Sequence, residues 1–208
     1  MRGKLITLEG MDGAGKSTHL EWLARALADR GIRVTATREP GGTPLGEKLR
    51  EIVLAGDQAL HPETETLLMF AARREHIDKT IAPALAGGTW VLCDRFTDAT
   101  YAYQSGGSGV DWGKIALLEQ WVHPDLQPDL TILFDVTPEV GRQRAKRGRA
   151  ADRFEGEALA FFQHVMQAYR RRAEARPDRM RIVDANRSLP EVRKELEDIV
   201  SSLCSTKV

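Results

Sequence analysis

Apolar residues recur along this chain in two alternating rhythms. Leu5, Ile6 and Leu8 form a short run, and Leu20, Leu23, Ala24 and Leu27 then recur at helical spacing until Gly31. Ile32, Val34 and Ala36 alternate with polar residues, which predicts a second strand stopped by Thr37-Arg38-Glu39-Pro40-Gly41-Gly42-Thr43. Leu45, Leu49, Ile52 and Val53 share one face of a weak helix that Gly56-Asp57 closes. Pro62 opens a long helical pattern through Leu67, Leu68, Phe70, Ala71, Ile77 and Ile81. Trp90-Val91-Leu92-Cys93 is nearly continuous, as a strand buried on both faces should be. From Thr97 to Gly109 the chain is polar and glycine-rich and reads as a loop. Asp111 caps a helix running to Trp121, and Pro124 and Pro128 punctuate the return to a fourth strand, Asp129 to Asp135, whose last residue reads as a cap. Leu159, Phe162, Val165, Met166 and Tyr169 line the inner face of a long amphipathic helix. Met180, Ile182 and Val183 form the last strand, and Ser188-Leu189-Pro190-Glu191 is a capping box for a terminal helix. Five strand-like runs alternating with helices predict an α/β fold, a three-layer sandwich with a five-stranded parallel sheet flanked by helices.

At 208 residues with 42% apolar content, the chain suits one buried domain spanning residues 1–208. Thirty basic residues balance thirty acidic ones, which argues against partners drawn by bulk charge: no nucleic acid and no membrane. Two cysteines, Cys93 in a strand-like run and Cys204 near the end, suit a reducing compartment and have neither metal nor disulfide spacing. With no signal-type segment and no bilayer-length apolar run, the expected location is cytoplasmic.

The chemistry concentrates where strands end. After the first run, Gly10-Met11-Asp12-Gly13-Ala14-Gly15-Lys16-Ser17-Thr18 reads G-x-x-x-x-G-K-S-T at the start of a helix. Its glycines let successive N–H groups curl onto a polyphosphate, Lys16 adds a mobile charge, and Ser17 suits Mg²⁺. The helix dipole adds to the attraction for anions, so the loop is expected to bind a nucleoside triphosphate. Arg38 ends the second strand beside this loop, where open parallel sheets bind ligands. Asp94-Arg95 end the third, and an acid there orients Mg²⁺ or its water in phosphate-loop enzymes. Two arginines opposite the loop imply a second anionic group. By spacing alone Phe70 reads as a core aromatic and Arg74 as a solvated arginine. Four apart on one helix face, the pair could also sandwich and hydrogen-bond a base. His76 reads as surface. Thr100, Tyr101, Tyr103 and Gln104 cluster next to Asp94-Arg95 and suit either substrate contact or a plain loop. Arg142, Arg144, Lys146, Arg147, Arg149 and Arg153 make a basic run that suits a mobile lid at about 142–154.

The loop containing Asp12, Arg38-Glu39-Pro40-Gly41-Gly42, Asp94-Arg95-Phe96, Tyr103-Gln104 and Asp152-Arg153 together resemble bacterial thymidylate kinase. The resemblance implies the P-loop nucleoside monophosphate kinase fold, a homodimer, and transfer of a phosphoryl group from ATP, with Mg²⁺, to dTMP. It further implies that Asp12 contacts the deoxyribose 3′ hydroxyl, that Arg38 and Arg95 hold the dTMP phosphate, that Phe70 stacks on thymine and that Arg74 bonds its O4. Thr100 and Gln104 would lie near the base, and Tyr103 near the sugar, where an aromatic wall leaves little room for a 2′ hydroxyl. Met11, Asp12, Gly13 and Ala14 lack the loop arginine of one branch, so transition-state charge falls to the lid, with Arg153 the first choice. Rival readings are a kinase for another nucleoside monophosphate, a slow ATP-hydrolysing switch, and an ATP-dependent ligase.

Overall fold

The computed structural model of the chain describes residues 2–55, 59–145 and 157–205. Its strands are Leu5–Glu9 (β1), Val34–Arg38 (β2), Trp90–Asp94 (β3), Leu130–Asp135 (β4) and Met180–Asp184 (β5). They form one parallel sheet in the order β2-β3-β1-β4-β5. Alternate residues of the central strands serve opposite faces, as the pleat requires. Ile6, Leu8 and Leu92 join the larger core cluster, with Leu23 and Leu27 of helix α1 (Lys16–Ala28). Val165 and Met166 of α8 (Leu159–Ala175) and Leu196 of α9 (Leu189–Ser205) join the same cluster. Leu5, Val91 and Cys93 turn the other way, onto Ile77, Ile81 and Leu85. Each fully buried aliphatic side chain contributes about 1.5–3 kcal/mol relative to exposure, so the two clusters fix the layers.

On that second face the long helical pattern divides. Helix α3 (Pro62–His76) passes into a π-helical segment, Ile77–Ile81, and then α4 (Ala82–Ala86). Helix α2 (Pro44–Leu54) packs on α3, and Thr43 caps it by accepting the Gly46 N–H at 3.0 Å. Helix α6 (Trp112–Val122) also packs on α3 and is capped by Asp111 as expected, Lys114 N to Oδ1 being 3.0 Å. The Ser188–Glu191 capping box also forms, Ser188 N donating to Glu191 Oε2 at 3.0 Å.

Two expectations change. The stretch read as a loop is helical: α5 (Thr97–Thr100) and a second π-helical segment, Tyr101–Gly107. Its glycines permit close packing on α8 rather than a turn, for a Cβ at Gly106 would stand 2.6 Å from Ala168 Cβ and one at Gly107 2.4 Å from the Phe161 ring. Asp135 does not cap the following helix, α7 (Pro138–Ala145), since both its oxygens accept from Arg170, at 2.8 and 2.9 Å. No helix among the described residues is long and apolar enough to cross a membrane.

Candidate active site

Register brings the carboxyl ends together: Leu8 and Arg38 both pair with Asp94. The chain leaving β1, β2 and β3 therefore borders one crevice, and two cavities open there.

The first is lined by Asp12, Arg38, Glu39, Pro40, Arg50, Val53, Leu54, Met69, Asp94, Arg95, Ala99, Tyr103 and Gln104. Loop residues 12–19 line the second with Asp94, Arg144, Ala145, Ala185, Arg187, Ser188, Leu189 and Val192. Asp12 and Asp94 belong to both, so the cavities meet there.

The second cavity is built by backbone. Gly15 precedes α1 with φ 91°, and Lys16, 5% exposed, donates to the carbonyls of Gly10 and Met11 at 3.0 and 3.1 Å. Burial and then the nearby Arg95 push the Lys16 pKa down, against the opposing pull of Asp94 and Asp12. Gly13, at φ 78°, lies under α7, where a Cβ would fall 2.0 Å from the Gly141 carbonyl oxygen. That glycine contact carries Arg144 to the cavity wall, tied to Ala185 O at 2.7 Å. Gly10 and Met11 sit behind the wall that Asp12, Gly13, Ala14, Gly15, Lys16, Ser17 and Thr18 form. Arg142 lies over the Phe162 ring, 5.8 Å from its centroid. Lys146, Arg147, Arg149, Asp152 and Arg153, the remainder of the expected lid, lie outside the described residues.

The first cavity is built by side chains from distant segments. Arg95 adopts φ 71°, a backbone strain of about 1–3 kcal/mol that the surroundings must offset. Its Nη2 donates to Asp12 Oδ1 and the Tyr103 hydroxyl, each at 2.9 Å, and its Nη1 donates to the Tyr169 hydroxyl at 3.2 Å. Burial opposes its charge, yet Tyr103, Asp12, Tyr169 and Asp94 outweigh burial and raise its pKa. Tyr169 in turn donates to Glu9 at 2.9 Å, and Glu9 accepts the Phe96 N–H at 2.7 Å. Burial first, then Asp98, push the Glu9 pKa up to about 8. Arg38 is held by Glu47 at 2.9 Å, and Arg50 donates to Pro40 O at 3.0 Å. Glu9, Arg50 and the Tyr169 hydroxyl were invisible as site members by type and spacing.

On helix α3 the structure places Phe70 and Arg74 as spacing alone reads them, and neither lines the cavity. Phe70 is 2% exposed and packs in a cluster with Tyr101, Val110, Ile115 and Val122. Arg74 points outward, donating to Val122 O at 2.9 Å and pairing with Asp78 at 3.6 Å. Met69 lines the cavity instead, and Arg73, 1% exposed, binds Glu39 Oε2 at 2.8 Å and Thr100 Oγ1 at 3.1 Å. Thr100 thus stands behind the wall. The cause is helical phase: Thr66, Phe70, Arg73 and Ile77 form the buried stripe, which places position 73 inside and 74 outside. That stripe was readable from Phe70 and Ile77. His76, read as surface, is fully buried.

Among the described residues, Arg73 Nη1, Gln104 Oε1 and Asp94 Oδ1 are three of the buried polar atoms that have no partner. The Gln104 amide nitrogen donates to Glu65 Oε1 at 2.7 Å, which fixes Oε1 as the open acceptor. Such atoms are costly without a ligand.

A family model for thymidylate kinase matches residues 8–196. The thymidylate kinase of Nitrosomonas europaea is 59% identical over 204 residues, covering 98% of this chain and 95% of that protein. That of Bordetella pertussis is 59% identical over 202 residues, covering 97% and 96%. Among solved structures, the crystal structure of thymidylate kinase from Ehrlichia chaffeensis superposes with a TM-score of 0.79 at 33% identity, covering 96% of this chain and 99% of that one. With a phosphate-binding loop facing a second, arginine-held cavity on this sheet, the chain belongs to the thymidylate kinase family.

Proposed function

We propose that the chain, a thymidylate kinase family enzyme that phosphorylates dTMP to dTDP, takes the phosphoryl group from ATP bound with Mg²⁺. The observation that carries this reading is the meeting of two cavities at Asp12 and Asp94, one walled by the phosphate-binding loop and the other by Arg38 and Arg95. Donor and acceptor phosphates placed in them face each other, as in-line transfer requires.

In the acceptor cavity Arg38 and Arg95 bind the dTMP phosphate, and Asp12 receives the 3′ hydroxyl. Tyr103, fixed by its bond to Arg95, stands beside the sugar. Met69 supplies a polarizable wall for thymine. Arg73 Nη1 is a donor for O4 and Gln104 Oε1 an acceptor for N3–H, which matches their unpartnered state. In the donor cavity the loop amides and Lys16 bind the β- and γ-phosphates. Asp94 Oδ1 and Ser17 are hard oxygen donors on the same wall and suit Mg²⁺, which when bound neutralises charge on the transferring group. The acceptor phosphate is already a nucleophile at neutral pH, so alignment and charge neutralisation carry the reaction.

The second copy of a homodimer suits the outer side of α3 and α6. Leu117 and Trp121, four apart on α6, are 72% and 80% exposed, and Leu67 on α3 is 54% exposed. Cys93 and Cys204 are both unpaired, in keeping with the cytoplasm.

The test is ADP formation from ATP and Mg²⁺ with dTMP, dUMP, dGMP or AMP, beside a no-acceptor control. Strong preference for dTMP is expected; ADP release that ignores the acceptor would overturn the reading.

A further inference from the structure

From Glu39 in the acceptor wall a buried chain of polar side chains that no step of the transfer uses runs back into the fold. His76, fully buried, holds Glu39 Oε1 at 3.0 Å through Nδ1 and the Thr37 hydroxyl at 2.7 Å through Nε2. Glu39 spends its other oxygen on Arg73 Nε at 2.8 Å, and Arg73 Nη2 reaches Thr100 Oγ1 at 3.1 Å. Both Glu39 oxygens, both imidazole nitrogens and two guanidinium nitrogens are thereby engaged, leaving Nη1 open. The surroundings close tightly on the ring. A Cβ at Gly42 would stand 2.4 Å from His76 Nε2 and 2.6 Å from Thr37 Oγ1, so the second glycine of Pro40-Gly41-Gly42 is needed for His76 to fit. Thr80, in the π-helical segment that begins right after His76, donates to Gly42 O at 3.1 Å.

We infer that His76 is a positioning residue for nucleotide selection: bridging the Thr37 hydroxyl to Glu39, it locks the carboxylate that aims Arg73 at the thymine base. This rests on the reading of Arg73 as the base contact. The physical reason is freedom of rotation. A glutamate has three rotatable side-chain bonds, and a lone Glu39–Arg73 pair could slide along its own axis. A third group on the far oxygen removes that motion, and its anchor on β2 ties the result to the sheet. Glu39 acts here as an acceptor, Arg73 and His76 outweighing the effect of burial to hold its pKa below the usual value, so Nδ1 carries the proton toward it. A metal reading of the same cluster is weaker. Glu39, His76 and Cys93 place ligand-type atoms within 4.8 Å of one another, but Glu39 and His76 are engaged as above and the Cys93 thiol donates to Arg95 O at 3.0 Å.

Asparagine and glutamine separate the two bonds of the ring. An asparagine amide stands near the Nδ1 position and keeps the bond to Glu39; a glutamine amide reaches the Nε2 position and keeps only Thr37. Steady-state kinetics of the full chain are measured with each nucleotide varied in turn, for His76→Asn, His76→Gln and Arg73→Lys, with circular dichroism confirming the fold. For His76→Gln the KM for dTMP is expected to rise about tenfold with the KM for ATP unchanged and kcat within about twofold, while His76→Asn and Thr37→Val, which lose only the outer anchor, are each expected to raise the dTMP KM about threefold. Equal effects of the two variants, or a rise in both KM values together, would overturn the inference and leave His76 a packing residue. Should His76→Gln fail to fold, Thr37→Val cuts the outer anchor, and an unchanged dTMP KM there overturns the inference as well. Arg73→Lys separates the two layers of argument. If it raises the dTMP KM and His76→Gln does not, only the positioning role falls; if it has no effect, the base contact falls and takes the positioning role with it.

Discussion

The donor and acceptor cavities share a border but are made differently. The donor wall is eight consecutive residues, 12–19, supplemented by α7 and the start of α9, and its working groups are backbone amides held by positive-φ glycines. The acceptor wall gathers side chains from the phosphate loop, the 38–40 turn, α2, α3, β3, α5 and the second π-helical segment. Arg95 in that wall is held by Asp12, Tyr103 and Tyr169, and Arg73 next to it by Glu39 and Thr100. A polyphosphate is alike in every donor nucleotide, and loop amides with one lysine suffice for it. A particular base needs directed polar atoms, and those need support.

The sharpest way to break the contrast is at the border. Arg95→Ala removes the cation between the phosphates, and kcat/KM for dTMP is expected to fall about a thousandfold in steady-state assays, with the KM for ATP little changed. On the donor side the backbone should be sensitive as well. Gly13→Ala puts a Cβ into the Gly141 carbonyl at a residue with φ 78°, and kcat/KM for ATP is expected to drop about a hundredfold while dTMP binding by calorimetry holds. Because α3 carries Met69 and Arg73 inward and Leu67 outward, a charge on the apolar outer face should reach the acceptor side alone. Trp121→Glu is expected to convert dimer to monomer in sedimentation and to raise the dTMP KM about threefold, ATP being unaffected.

The smallest effect concerns Glu9, behind Arg95. Its pKa is raised from 4.5 to about 8 in the folded chain, so folding takes up a proton between those values, and this group's contribution falls as pH rises from 4.5 toward 8. Glu9→Gln, which cannot ionise, is expected to melt a few degrees higher than the parent at pH 8 and to lose that advantage near pH 5 in thermal scans.

The sheet, its helices and the phosphate-binding loop were legible because each is written locally, as a period, a cap or a glycine spacing. Arg38, Asp94 and Arg95 were legible because strand ends are. On α3 the spacing marked Phe70 as core and Arg74 as solvated, but not Arg73 as buried, since the two arginines are identical in type and only about 100° of helical phase separates the buried one from the exposed one. His76 and Glu9 were hidden for a related reason, since a buried polar residue declares itself only through partners far along the chain. The Thr97–Gly109 stretch looked like a loop because glycines that permit close helix packing are indistinguishable in sequence from glycines that permit turns.

The most direct measurement is calorimetric titration of dTMP into the parent chain, Arg73→Ala and Arg74→Ala. The account expects Arg73→Ala to weaken binding tenfold or more, about what a lost charged hydrogen bond costs, and Arg74→Ala to stay within about twofold. The reverse order would place the base on the other side of α3 and contradict it.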